Sequence, residues 1–187
     1  MSVKWNSKIM FPTDSAYKAR ICGAEFGRSK SSGNPMITLT WEVVAPQEVE
    51  VAGELVNIAG VQCTQYYSTS TLDSDSESGL DDEKTKNNRK KTQELYTTLG
   101  IEDPIDFENP DTKVLLGKCA YVGMKSDVNE RRKTPTIAQI ETAKKAGKRP
   151  EGDLMTHPIT GAKLVDYWPK ITDVFGLCAE DSVAAAY

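Results

Sequence analysis

From Met36 to Val44 the chain reads Met-Ile-Thr-Leu-Thr-Trp-Glu-Val-Val, and apolar side chains recur at every second position. Ile37, Leu39, Trp41 and Val43 fall on one side of an extended strand, with Met36, Thr38, Thr40 and Glu42 on the other. A period of two, rich in β-branched and aromatic residues, specifies a half-buried antiparallel strand. Residues 17–26 form a first strand before it, and Gly-Arg-Ser-Lys-Ser-Ser-Gly-Asn-Pro joins the two. Gly33 and Asn34 tolerate positive φ and Pro35 cannot continue a ladder, so the join is a turn. The two segments therefore predict a β-hairpin with Arg28 and Lys30 at its tip, placed to clamp an anionic strand.

The remaining segments order themselves around this hairpin. Residues 1–15 read as a leader and 46–53 as a polar connection. Residues 54–67 alternate imperfectly, predicting a third strand with Gly60 as a bulge and Tyr66-Tyr67 at its end. Residues 68–83 are polar and acidic enough to predict a mobile loop. Residues 84–99 are helical in composition, with Leu95, Tyr96 and Leu99 as the apolar stripe and Gly100 as the stop. A fourth strand is expected at 114–125. A long insertion at 126–163 follows, with a short helix near 136–146 and Glu141 paired to Lys144 or Lys145. Residues 164–175 read as the last strand, which Pro169 confines to an edge or bulge. The expected domain spans 16–176, with an acidic loop at 68–86 and a tail at 177–187.

Net charge is −4, yet the charge is segregated. Residues 1–71 balance six bases against six acids, and residues 72–83 hold six acids and no base. Residues 84–150 carry fifteen bases against nine acids, so an acidic average conceals a basic middle suited to a polyanion. No apolar run is long enough to span a bilayer, and the first residues lack a secretory apolar core. A cytoplasmic protein is expected, without a membrane partner. Cys22, Cys63, Cys119 and Cys178 form no C-x-x-C pair and read as small core residues rather than zinc ligands. His157, the single histidine, lies in a turn-like sequence with no grouped partners. The stretch from Asp73 places carboxylates at positions one, three and five of a calcium loop. Ser78 stands where such a loop needs Gly, and Lys84 where it needs Glu, so no metal site is expected.

Three strands, a helix and two strands make the element order of an OB-fold, a five-stranded β-barrel with minor α content. The long loops are insertions on that plan. The motifs add a resemblance. Tyr17-Lys-Ala-Arg-Ile21, Lys30-Ser-Ser-Gly-Asn-Pro-Met36 running on to Val44, Glu94-Leu-Tyr-Thr-Thr-Leu-Gly100 and Leu116-Gly-Lys-Cys-Ala-Tyr-Val122 together resemble bacteriophage single-stranded-DNA-binding proteins of the OB-fold kind. That resemblance implies a protein coating single-stranded DNA in phage replication or recombination inside a bacterial host. It implies phage or host replication proteins as further partners.

The expected binding residues are of two kinds. Lys18 and Arg20 face outward because Tyr17, Ala19 and Ile21 take the opposite parity. They join Arg28, Lys30, Lys125 and the Arg131-Arg132-Lys133 cluster of the loop between strands four and five, a loop OB-folds use on ligand. Tyr66, Tyr67, Tyr121 and Trp168 are the candidate base-stacking aromatics, whereas Trp41 belongs to the core. Arg89-Lys-Lys91 reads as a solvated helix face. No catalytic motif or cofactor signature appears, so no enzyme is expected. The rival readings are a protein-interaction or assembly β-barrel and a metal-dependent nuclease. The acidic loop is read as a solvated spectator connection or, alternatively, as a competitor with nucleic acid for the basic surface whose removal tightens binding.

Overall fold

The computed structural model describes residues 11–12, 16–51 and 53–178. Most of the expected leader and of the 177–187 tail lies outside the described residues. The elements are β1 (Ala16–Arg28), β2 (Pro35–Ala45), β3 (Glu48–Val51), β4 (Glu54–Asn57), β5 (Gln62–Ser68), α1 (Asp82–Thr98), β6 (Cys119–Glu130), α2 (Ile137–Lys145) and β7 (Val165–Leu177). Five strands form one antiparallel sheet in the order β5-β2-β1-β6-β7, and β3 pairs with β4 apart from it. The protein is mainly β.

Side-chain parity sets the register of the first hairpin. Phe26 lies opposite Ile37, Ala24 opposite Leu39, Ile21 opposite Trp41 and Ala19 opposite Val43, so the apolar faces coincide. The register slips between Ile21 and Gly23, where Cys22 is the extra residue. Gly23 meets Thr40 so closely that an added Cβ would lie 3.2 Å from the Thr40 Cβ. A bulge bends its strand, and here β1 pairs with β6 over Ala16 to Arg20 on one side and with β2 from Lys18 to Arg28 on the other. Trp41, Tyr17, Phe11, Ile21, Ile37 and Leu39 are fully buried beneath the sheet, each worth about 2 kcal/mol of apolar transfer. Helix α1 starts on Asp81, whose carboxylate accepts from the Lys84 N–H at 3.0 Å. It adds Leu95, Tyr96 and the following Leu99 to the core.

Three sequence expectations are corrected. Residues 54–67 are two strands rather than one. Gly60 has φ +79° and turns the chain, its N–H donating to the Val43 carbonyl at 2.8 Å. The 46–53 connection contains β3, which pairs with β4. The fourth strand starts at Cys119 rather than 114, because residues 113–115 form a 3₁₀ turn and Gly117 follows at φ +78°. The last strand is an edge of the sheet, as Pro169 requires.

The two edges, β5 and β7, touch without a ladder between them. The Ile171 backbone N–H approaches the Cys63 sulfur, and Asp173 acts on the Tyr67 phenol. Four successive antiparallel pairings from β5 through β2, β1 and β6 to β7 give the two edges the same direction. Beyond Glu130 the 131–164 insertion folds on itself. Arg131 N–H donates to Leu164 O, Met155 N–H to Arg131 O and Lys133 N–H to Asp153 O, all at 2.8–2.9 Å. Helix α2 carries a Thr136–Gln139 capping box and buries none of its residues. No helix among the described residues is long and apolar enough to cross a membrane.

Candidate nucleic-acid interface

On the outward side of β1, β2 and β5 lies a groove of about 730 Å³. Its floor is Met36, Thr38, Tyr66 and Ser68, and its walls are Glu25 and the hairpin tip with Arg28 and Lys30. Sequence parity explains the floor. Thr38 lies opposite Tyr66 and Met36 opposite Ser68, while the intervening Ile37 and Leu39 turn into the core. Gly27 supplies no side chain, and an added Cβ there would meet nothing within 4 Å, which keeps the groove open beside Met36. Tyr66 is 62% exposed. Arg28 donates to the Gly33 carbonyl at 3.2 Å, which orients it along the tip. Among the described residues neither Arg28 nor Lys30 forms an ion pair.

The other expected aromatics do not join this groove. Tyr67 points inward and packs against the core, where burial pushes its phenol up to about 12. That placement removes it from the outward platform. Tyr121 lies on the outward face of β6, with the Lys18 ammonium 5.4 Å from its ring centroid. Lys125 and Trp168 are also outward, on the β6–β7 ladder. Lys18 and Arg28 stand ten positions apart on β1, about 30 Å of extended strand. Arg20 between them faces Glu42 at 3.7 Å.

In the insertion, Arg131 grips Asp166 with both Nε and Nη2. Arg132 holds Glu130 at 3.4 Å, Glu151 at 3.2 Å and the Gly152 carbonyl at 3.2 Å. Lys163 sits 2.6 Å from Glu130 and holds that carboxyl below the usual range. Of the three expected cations, Lys133 alone forms no ion pair among the described residues. Arg89 is engaged as well, with Glu108 at 2.8 Å, the Thr69 carbonyl and the Phe107 ring. A second depression of about 770 Å³ runs along α2. Alanines, Gln139, Thr142, Lys148, Arg149 and Glu151 line it, with no aromatic platform.

The acidic segment is folded rather than loose. An antiparallel bridge joins Leu72 to Leu80, and Ser76 Oγ donates to the Leu80 carbonyl at 2.6 Å. Leu72 N–H donates to Asn34 Oδ1 at 3.0 Å and its side chain packs on Gly33, so the acidic turn is docked on the hairpin tip. Cys63 is buried and pushed up to about 12 by desolvation, whereas Cys22 is exposed and donates to the Thr40 carbonyl. His157 Nδ1 accepts from the N–H groups of Ile159 and Thr160, organising its own turn. Among the described residues no three His, Cys, Asp or Glu side chains group as metal ligands.

Residues 12–152 match the family described as Protein of unknown function (DUF669). The chain belongs to this family. The matched span includes every residue lining the groove and stops short of β7. No curated protein and no solved structure matches the chain.

Sequence reasoning missed Met36, Thr38, Ser68 and Glu25 as groove residues. For Met36 and Thr38 the outward parity was the available signal. For Ser68 and Glu25 it was the register of their strands against β2.

Proposed function

We propose that the chain binds single-stranded DNA in the groove between the first hairpin tip and β5, without strong sequence preference. The observation that carries this reading is the meeting of Tyr66 with Arg28 and Lys30 in one groove. Single-strand binders combine an aromatic face for bases with a cationic track for phosphates, and every base offers a π-face. Thr38 and Ser68 beside Tyr66 are hydroxyls that donate or accept, which suits a sequence-tolerant floor.

The fold reading that goes with it is an OB-type barrel. Its support is a sheet in which β1 lies between β2 and β6, edges β5 and β7 in contact, and α1 between the third and fourth strands of the sheet. In that frame β2 and β5 are the second and third strands, and the Arg28–Lys30 turn joins the first to the second. Those are the positions through which such barrels hold oligonucleotides. Service in phage replication or recombination is the corresponding biological reading, and it rests on the motif resemblance.

Fluorescence anisotropy with a labelled deoxythymidine oligomer and a matching duplex tests the proposal. The oligomer should bind and the duplex should bind far more weakly. Log affinity should fall linearly with log salt at about 0.7 per phosphate contact. Equal affinity for both ligands, or none for either at low salt, overturns it.

A further inference from the structure

The β6–β7 ladder carries a second outward strip, away from the groove. Lys125 lies directly opposite Lys170, and Trp168 lies opposite Asp127 one outward position further on. Toward the other end, Gly123 leaves a bare patch that the Thr172 hydroxyl and the Phe175 ring cover. A Cβ on Gly123 would stand 3.3 Å from the Phe175 ring. Tyr121, one outward position before Gly123, carries Lys18 over its ring. Phe175 is 63% exposed and Trp168 41%. The inward positions of the same ladder, Val122, Met124 and Ile171, are buried, so the strip is the solvent face of a well-anchored pair of strands.

Like charges directly opposite one another destabilise a sheet pair. Lys125 has no ion pair among the described residues, and Lys170 reaches only Asp127, at 4.0 Å. A ladder that keeps two facing lysines, with aromatics at both ends, breaks a local rule where a bound anion would mend it. We propose that this strip is a second contact for the single strand. One phosphodiester bridges Lys125 and Lys170, and bases rest on Phe175 with Tyr121 at one end and on Trp168 at the other. The inference rests on the single-strand reading of the groove and extends it. The same strand, when long enough, runs from the groove onto the β6–β7 ladder.

Of the three tryptophans, Trp41 is fully buried and Trp5 lies outside the described residues, so Trp168 serves as the reporter on this strip. The full chain is titrated with deoxythymidine oligomers of about ten and about thirty nucleotides, spanning the site sizes of single barrels. Tryptophan emission and anisotropy are both read, and a Trp168→Phe variant isolates the Trp168 signal. The long oligomer should quench Trp168. Lys125→Gln with Lys170→Gln should remove the quench and weaken the long oligomer by about tenfold, since both lysines that hold that phosphate are lost. The same substitutions should raise the melting temperature, because they remove a repulsion rather than a structural contact. An unchanged long-oligomer affinity with no Trp168 quench in the wild type overturns the strip while leaving the groove intact. Failure of the wild type to bind either oligomer at low salt overturns both readings.

Discussion

The tip of the first hairpin and the loop after β6 look alike in sequence, for each is a short basic cluster between two strands. In three dimensions they differ in what surrounds the charge. Arg28 and Lys30 border a groove with Tyr66 and form no ion pairs among the described residues. Arg131 and Arg132 are tied to Asp166, Glu130 and Glu151, and with Lys163 they hold the insertion together. A cation already paired to a carboxylate releases no counterion from a phosphate. On the proposed single-strand reading, the available charge rather than the written charge points to the groove.

Substitutions sharpen this contrast, beginning with the largest effect. Tyr66→Ala should cost about 1–3 kcal/mol of affinity for a deoxythymidine oligomer, the worth of one base stack. Tyr67→Ala should instead lower the melting temperature, since Tyr67 packs on the core. Next, Arg28→Ala with Lys30→Ala should reduce the salt slope by about 1.4, at roughly 0.7 per contact. Arg131→Ala with Arg132→Ala should leave that slope unchanged. These pairs are partly exposed and screened by solvent, so their loss should leave the melting temperature little changed. A salt slope that responds to the second double variant and not the first would reverse the comparison.

The smallest effect belongs to the acidic turn. Leu72 and Asn34 dock it on the hairpin tip, and it carries Asp73, Asp75 and Glu77 between Leu72 and Leu80. Removing residues 70–83 outright would also take away the Asp81 cap of α1 and the Thr71–Thr85 hydrogen bond. Asp73→Asn, Asp75→Asn and Glu77→Gln together keep those contacts. This triple variant should tighten binding a few-fold at low salt, with the gain fading as the Debye length shrinks to about 8 Å near physiological salt. Equal affinity at every salt would make the turn a spectator.

The hairpin was legible in the sequence because a strict period of two assigns every side chain from Met36 to Val43 to a face. The helix at α2 was legible as a short helix near 136–146, and the structure adds the Thr136–Gln139 capping box that starts it. The break at Gly60 was not legible, since a glycine inside an alternating run serves a bulge and a turn equally well. Nor was the choice between Tyr66 and Tyr67. It depends on which of them opposes Thr38, and that is fixed by the register of β5 against β2. The ion pairs of the insertion join residues as far apart as Arg131 and Asp166. Such pairings are set by the β6–β7 ladder and leave no local pattern.

Photocrosslinking of a 5-iododeoxyuridine oligomer to the full chain, with the adduct mapped by peptide mass spectrometry, tests the location of the strand most directly. The groove account predicts Tyr66 as the principal adduct with a short oligomer, lost on competition with unlabelled deoxythymidine oligomer. Adducts confined to residues 131–149, with Tyr66 unmodified, would contradict it.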